Sequence, residues 1–228
     1  MKYCIVIPVY DSPYIREVVE DVLTYEYSVI VVDDGSSIKV DVNDLDIELV
    51  THKSNQGKGA AILSGAKRAK ELGYDFFVTM DADKQHISSQ IKKLVDSYEE
   101  ETIVIGNRDF SGDDVPDSSK FGRKFSNFWV ALETFKLLGD TQSGFRLYPI
   151  SILELPMTNK RFGFEIEVLS HHSYACREIK DVEVECYYPP KEERITHFDK
   201  VKDNIRLTAL HTKLMILRFA FLRGWLWK

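Results

Sequence analysis

Apolar residues recur at two spacings along the first hundred positions. Tyr3–Val9 and Val29–Val32 are β-branched runs of the kind buried on both faces of a parallel sheet. Between them Ile15, Val18, Val19, Val22 and Leu23 return at helical spacing. That spacing predicts a helix over Pro13–Tyr27, with Ser12 as N-cap and Pro13 at the first helical position. The rhythm continues through strand Ile47–Thr51, helix Ala60–Leu72 ended by Gly73, strand Tyr74–Met80, helix Ile87–Tyr98 and strand Ile103–Ile105. Strands and helices alternating this way predict an α/β fold, a mostly parallel, doubly wound sheet flanked by helices. The second half is less regular. It reads as a polar loop Ser111–Ser119, helix Phe121–Leu138, strand Gly144–Tyr148, helix Phe164–Ala175 and an alternating segment Val182–Tyr188 stopped by Pro189-Pro190.

Ligands on such sheets gather at the carboxyl ends of the strands. Three polar clusters fall there: Tyr10-Asp11, Asp33-Asp34-Gly35-Ser36 and Asp81-Ala82-Asp83. Asp81 and Asp83, two positions apart at a strand end, can converge on one divalent cation with Gln85 as a third oxygen ligand. Mg²⁺ or Mn²⁺ suits such oxygen donors and shares a substrate's phosphates. The bland reading is a pair of solvated acids capping the helix at Ile87. Asp33 either shapes a strand-end turn or accepts hydrogen bonds from a nucleobase and ribose. Asn55-Gln56-Gly57-Lys58-Gly59 opens a helix, where free N–H groups and Lys58 can meet a diphosphate. It is not a Walker loop, because Gly59 follows the lysine where Ser or Thr is required.

Composition narrows the class. With 44% hydrophobic and 29% charged residues, the 228-residue chain can bury a sizeable core. A net charge of −6 argues against a nucleic-acid binder. The charge is uneven: residues 1–203 carry −11, and the stretch from Asn204 carries five basic residues and no acid. Cys4, Cys176 and Cys186 are too few and scattered for a disulfide framework or a zinc site, and read as thiols of a reducing compartment. The N-terminus predicts no secretory leader, so a cytoplasmic protein is expected. Ile205–Trp227 is apolar around most of a helical circumference, but Lys213, Arg218 and Arg223 cut its apolar runs to four residues. A charge at the centre of a spanning helix costs about 2.5–3.5 kcal/mol, so this tail is not expected to span a membrane. Snorkelling Lys and Arg, with Trp225 and Trp227 at headgroup level, favour docking on an anionic membrane surface over packing on the body.

Seven stretches in order, Ile7-Pro8-Val9-Tyr10-Asp11, Asp33–Ser36, Asn55–Gly59, Asp81–His86, Gly106-Asn107-Arg108, Asp140–Arg146 and Phe164–Glu167, make the chain resemble glycosyltransferase family 2, enzymes of the GT-A fold. The likeness covers roughly residues 3–190 and is strongest to polyprenyl- and dolichyl-phosphate mannosyl- or glucosyltransferases. It implies that Pro8, Tyr10, Asp11 and Asp33 hold the nucleoside, that Lys58 lies near the diphosphate, and that Asp81, Asp83 and Gln85 hold a bridging Mg²⁺ or Mn²⁺. Arg108 and Arg123 match positions that receive an acceptor phosphate, a role suited to guanidinium forks; the alternative is surface salt bridges. Asp140 falls where hydroxyl-using relatives carry a general base, or else orients the loop Thr141–Gly144. Asp11 stands where Asn or Glu is common, and Lys84, where Gly or Leu is common, would sit beside the metal and tune it.

The implied reaction is inverting transfer of a hexose from a GDP- or UDP-linked donor to a polyprenyl phosphate, in glycan or cell-envelope synthesis. Two readings stay beside it: transfer to a hydroxyl with Asp140 as base, and a non-catalytic nucleotide-sugar binding subunit. A sugar-nucleotide pyrophosphorylase would need a Gly-rich basic loop after the first strand, where Pro8-Val9-Tyr10-Asp11 stands. The length accommodates one domain, residues 1–203, and a short extension, 204–228, so any integral membrane partner is another chain; a homo-oligomer is the other assembly considered. Arg194 and His197 could close over the site, and of Glu165 and Glu167 only one is expected to face it.

Overall fold

The computed structural model describes residues 1–109, 117–188 and 202–226. Its elements run β1 (Tyr3–Val9), α1 (Ile15–Leu23), β2 (Val29–Asp33), β3 (Glu48–Thr51), α2 (Lys58–Glu71), β4 (Phe76–Thr79), α3 (Ile91–Asp96), β5 (Ile103–Arg108), α4 (Asp117–Thr134), β6 (Arg146–Pro149), α5 (Phe164–Tyr174), β7 (Ile179–Val184) and α6 (Lys202–Leu226). The seven strands form one sheet in the order β3-β2-β1-β4-β6-β5-β7. β6 alone runs against its neighbours β4 and β5; the other pairings are parallel. The expected doubly wound sheet is therefore present, with one antiparallel insertion.

Strand side chains alternate between faces, so β1 feeds two cores. Cys4 and Val6 join Ala61, Ile62, Phe164 and Leu169 from α2 and α5. Ile5, Ile7 and Val9 join Val18, Val19, Ile91 and Leu94 from α1 and α3. Each such side chain stabilises by about 1.5–3 kcal/mol through burial. The carboxyl ends of β1, β2, β4 and β5 and the loop entering β6 consequently share one rim.

Several boundaries differ from those the pattern predicts. α1 starts at Ile15 after Tyr14, with no side-chain cap. Ser12 instead donates its hydroxyl to the carbonyl of Ala82, tying the β1 rim to the Asp81–Asp83 loop. The helix expected over Ile87–Tyr98 is a 3₁₀ turn, Ser88–Gln90, running into the short α3. α4 ends where Phe135 takes a left-handed φ of 58°. β6 begins at Arg146 and not at Gly144, whose carbonyl accepts the Thr79 hydroxyl at 2.7 Å.

The tail is seated on the body. Leu210, His211 and Leu214 of α6 are buried. His211 Nδ1 lies 2.7 Å from Glu133 Oε1 of α4, and Ser170 of α5 donates to the other oxygen of Glu133 at 2.9 Å. Trp129 stacks on the His211 ring, and Tyr174 donates its hydroxyl to Leu214 O. This half of the tail accordingly follows the packing alternative. Ile216 and Phe219 remain more than half exposed. The side chains of Arg223, Trp225, Trp227 and Lys228 lie outside the described residues. No helix among the described residues is long and apolar enough to cross a membrane.

Candidate active site

Parallel pairing of β1 with β2 sets Pro8 against Val32 and Val9 against Asp33, which brings Tyr10-Asp11 beside Asp33-Asp34. Pro8 is buried in β1; Tyr10 is half-buried at the rim. Asp11, at φ 49°, accepts the N–H groups of Ser37 and Ile38 on Oδ1 at 2.6 and 3.1 Å. Asp33 Oδ1 accepts Ser36 N–H at 2.8 Å, and Ser36 Oγ in turn accepts Asp11 N–H at 3.0 Å. The two acids expected to hold a nucleoside are thus locked into one rigid rim, each through one carboxylate oxygen.

Asp34, which the motif reading passed over, organises the next loop. It is 3% exposed, takes the N–H groups of Gln56 and Gly57 at 2.9 and 2.7 Å, and pairs with His52 at 2.7 Å. Ala60 N–H, in the first turn of α2, goes to Lys160 O. The N–H groups of Gln56 and Gly57 are spent inside the protein, so these two are not free to meet a diphosphate. Gly57 serves packing: its φ is 102°, and a Cβ there would lie 2.5 Å from Lys160 O. What the loop offers a ligand is the side chain of Lys58.

Lys58 Nζ lies 2.7 Å from Asp81 Oδ1 and 2.9 Å from Glu165 Oε1. Burial opposes its charge, but the two carboxylates raise its pKa. Asp81 is also disfavoured by burial, yet Lys58 and His86 hold it down at about 2. His86 accepts Asp81 N–H on Nδ1 at 3.0 Å and stacks on Phe145. Burial pushes His86 down to about 4, so it is a neutral ring that fixes the Asp81 backbone. Asp83 is pushed up to about 6, by burial first and by the neighbouring Asp81 second. Its Oδ1 accepts Gln85 N–H at 3.0 Å, and the Gln85 carbonyl receives Tyr187 N–H. Lys84 turns away to Glu17 and the Tyr14 ring, and so does not sit beside the pair as its sequence position implied.

The donor set fits a divalent cation. Burial first and the Asp81 charge second disfavour the Asp83 carboxylate, and a cation held between the two would offset the second. Among the described residues no three His, Cys, Asp or Glu surround one point, so a closed protein cage is absent. Two carboxylates and open positions match a cation that keeps waters and takes phosphate oxygens.

Across the rim stands Arg108, at the end of β5. Its Nε donates to Asp140 Oδ2 at 2.6 Å and its Nη2 to Asp140 Oδ1 at 3.2 Å. Burial opposes the Arg108 charge; Asp140 outweighs it and raises the pKa. The Asp140 side chain is fully buried, and Arg108 keeps 15% exposure. Both oxygens of Asp140 are thereby committed to an arginine, which argues against its expected role as a general base. Arg123 lies within α4, not at its opening as its sequence position suggested. It donates to Gly139 O, Arg108 O and Asn107 Oδ1 at 2.5, 3.1 and 3.0 Å. Arg108, Arg123, Asn107 and Lys93 line a cavity of about 650 Å³ together with the acids Asp109, Glu183 and Glu185.

Three further residues carry the site. Arg146, fully buried, donates to Ser143 O, Thr141 O and Glu165 O at 2.6, 2.8 and 2.6 Å, and so fixes the loop between the two halves. Of the two acids on α5, Glu165 faces the site through Lys58; Glu167 instead caps Thr158 and Asn159. Gly144 packs on the ion pair, where a Cβ would lie 2.5 Å from Asp81 Oδ2 and 2.6 Å from Lys58 Nζ. Arg194 and His197 lie outside the described residues.

Residues 4–155 match the family described as "Glycosyl transferase family 2". The UDP-N-acetylglucosamine–dolichyl-phosphate N-acetylglucosaminyltransferase of Methanococcus voltae is 29% identical over 66% of this chain and 70% of its own length. The undecaprenyl-phosphate mannosyltransferase of Micrococcus luteus is 26% identical over 63% of this chain and 65% of its own. The undecaprenyl-phosphate 4-deoxy-4-formamido-L-arabinose transferase of Yersinia pestis is 30% identical over 67% of this chain, a match spanning only 50% of that protein. Among solved structures, glucosyl-3-phosphoglycerate synthase of Mycobacterium tuberculosis, with Mn²⁺, UDP and phosphoglyceric acid, superposes with a TM-score of 0.67 at 15% identity, over 95% of this chain and 78% of that one. The same synthase with Mg²⁺ and UDP gives 0.64.

Proposed function

The chain belongs to glycosyltransferase family 2, and from that membership and the site we propose that it moves a hexose from a nucleoside-diphosphate sugar to the phosphate of a polyprenyl lipid. The observation that carries the acceptor assignment is the bidentate Arg108–Asp140 pair, with Arg108 and Arg123 lining a cavity that Asp109, Glu183 and Glu185 also line. An acceptor hydroxyl needs a base, and Asp140 is occupied. An acceptor phosphate needs none, because its second pKa is about 6 and its oxygen is already anionic at neutral pH. The relatives named for dolichyl or undecaprenyl phosphate support the same choice.

In this reading the rim around Asp11 and Asp33 takes the nucleoside, and Arg108 and Arg123 orient the acceptor phosphate. An acceptor oxygen attacks the anomeric carbon as the bond to the diphosphate breaks, inverting that carbon. Asp81 and Asp83, with Gln85, would hold Mg²⁺ or Mn²⁺, which supplies Lewis-acid stabilisation of the departing diphosphate. Lys58 adds positive charge on the same side. The buried sheet beneath and the loop held by Arg146 keep these groups in place. Residues 1–203 form the transferase unit and α6 its seated extension.

A lipid acceptor places the protein at a membrane, on the cytoplasmic face. The surface that supports this lies on α4 and the turn after it as much as on the tail: Phe128, Phe135 and Leu137 are 59%, 64% and 93% exposed, with Phe219 of α6 at 61%. From residue 118 to 138 the acid present, Glu133, is buried, while Arg123, Lys124 and Lys136 are basic. A chain ending at Asn204 would strip Leu214 from the core, so flotation of Phe128→Ser and Phe135→Ser with anionic vesicles is the cleaner test. Undiminished flotation would remove that surface from the reading.

Release of nucleoside diphosphate from a panel of UDP- and GDP-sugars, with and without polyprenyl phosphate, tests the reaction. Release that needs the lipid phosphate, together with a sugar-phosphate-lipid product by mass, is the expected result. Equal release with a saccharide alcohol as acceptor refutes the phosphate assignment.

A further inference from the structure

Lys58 is held by two carboxylates that have different jobs. Asp81 Oδ1, at 2.7 Å, belongs to the pair proposed to take a divalent cation. Glu165 Oε1, at 2.9 Å, comes from α5 on the far side of the lysine, and its side chain is 10% exposed. That oxygen is buried, and Lys58 is its ionic partner. An ammonium at 2.7 Å and a divalent cation at roughly 2.0–2.2 Å repel each other when they share one carboxylate oxygen. Gly144 closes the remaining side of the pair, which leaves the ammonium little room there. Glu165, already in contact with the ammonium, is the place to which it can go.

We infer that Lys58 is a resident counter-ion of Asp81 that gives way to the divalent cation, and that Glu165 is the positioning residue that retains the displaced ammonium in the site. The empty site is thus kept from accumulating unbalanced carboxylate charge. Once the cation is in place, Lys58 stays tethered at the first residue of α2, its charge released for the donor's diphosphate. A short, flexible exchange of this kind needs no backbone movement, because Asp34 and Lys160 O pin the loop that precedes the lysine. The inference rests on the reading that Asp81 is a cation ligand.

The test uses the full chain and Mn²⁺ alone, read by the electron paramagnetic signal of the free ion, with no nucleotide and no turnover. Lys58→Met should tighten Mn²⁺ binding about tenfold or more, since the competing ammonium is gone. Glu165→Gln, which leaves Lys58 with Asp81 as its sole anion, should weaken it. The double variant separates exchange from a general field effect: on the Lys58→Met background, Glu165→Gln should change Mn²⁺ affinity less than about twofold. If it weakens binding there as much as in the unsubstituted chain, Glu165 acts by charge alone and the positioning role is overturned. If Lys58→Met binds Mn²⁺ no tighter while Asp81→Asn abolishes binding, the exchange is overturned and the metal assignment stands. If Asp81→Asn leaves Mn²⁺ binding unchanged, the metal assignment itself fails.

Discussion

Asp140→Asn distinguishes an acid that aims an arginine from one that takes a proton. Both oxygens of the buried carboxylate lie on Arg108, at 2.6 and 3.2 Å. The amide keeps the shape and loses the charge. Removing one partner of a fully buried pair costs about 3–5 kcal/mol. Arg108 retains 15% exposure beside the cavity, so water shares the loss, and a cost of about 2–3 kcal/mol is the better figure. For a chain of this size that lowers Tm by roughly 4–12 °C.

The kinetic signature follows from the same geometry. A misaimed Arg108 weakens a charge-assisted contact to the acceptor phosphate worth about 1.5–3 kcal/mol, or about 10–200-fold in kcat/KM for the acceptor. Affinity for the donor nucleotide should not move, because Asp140 has no contact with the Lys58–Asp81 cluster. Loss of a general base would instead lower kcat by about 10²–10⁴-fold even at saturating acceptor. Initial rates against polyprenyl phosphate concentration separate the two. Pairing with Arg108→Gln sharpens the test, since a residue acting through Arg108 adds nothing once Arg108 is gone. A double variant that multiplies both single defects, or a loss confined to kcat, refutes the aiming role.

Gly144→Ala puts a methyl against Asp81 and Lys58 at 2.5 and 2.6 Å, so donor-dependent turnover should fall about 100-fold while thermal unfolding stays a single transition. Turnover within a few-fold of normal would mean the loop has slack the contacts do not show. His211→Ala leaves Glu133 buried with Ser170 as its remaining hydrogen-bond partner among the described residues, a loss of about 3–5 kcal/mol. Amide exchange along α6 should accelerate before the rest of the chain; uniform protection would show that the pair does not seat the helix. Burial holds His86 and His172 at about 4 against an ordinary value of 6.5. At each histidine the unfolded chain takes up its proton first, a loss of up to roughly 3 kcal/mol as pH drops from about 6.5 to about 4. Asp83, raised to about 6, instead protonates first in the fold and offsets part of it. Urea midpoints at pH 7 and 4.5 measure this, and His172→Gln should reduce the difference.

The strands and the rim clusters were legible because both are local. A β-branched run followed within two residues by Asp-Asp or Asp-Ala-Asp specifies a buried strand and what stands at its end. The partners of those acids were not legible, because pairing is a property of the closed rim. Asp33 and Asp34 are adjacent in sequence, yet Asp33 shapes the β2 turn while Asp34 is buried under the Gln56-Gly57 backbone. Asp140 and Arg108 are 32 residues apart and meet because β5 and the loop before β6 end side by side. Helical phase separated Glu165 from Glu167 without saying which faced inward; the location of Lys58 decides it.

The tail shows how a correct pattern leads to an incomplete reading. Apolar residues around most of a helix exclude a simple amphipathic stripe, and a single environment, the membrane, seemed to account for them all. In the fold they divide into two populations. Leu210 and Leu214 face α4 and α5, where His211 and Glu133 fix the helix, and this explains an apolar face that carries a buried polar pair at its centre. Ile216 and Phe219 lie outside that contact, 65% and 61% exposed. A helix free to partition would have no need of the His211–Glu133 pair, and one wholly packed would not leave Phe219 in water. The basic tail thus has a seat on the protein and a residual apolar surface that the seat does not cover. That remainder is alike in kind to Phe128 of α4 and to Phe135 just after it, and it is the part of the tail that packing on the body does not explain.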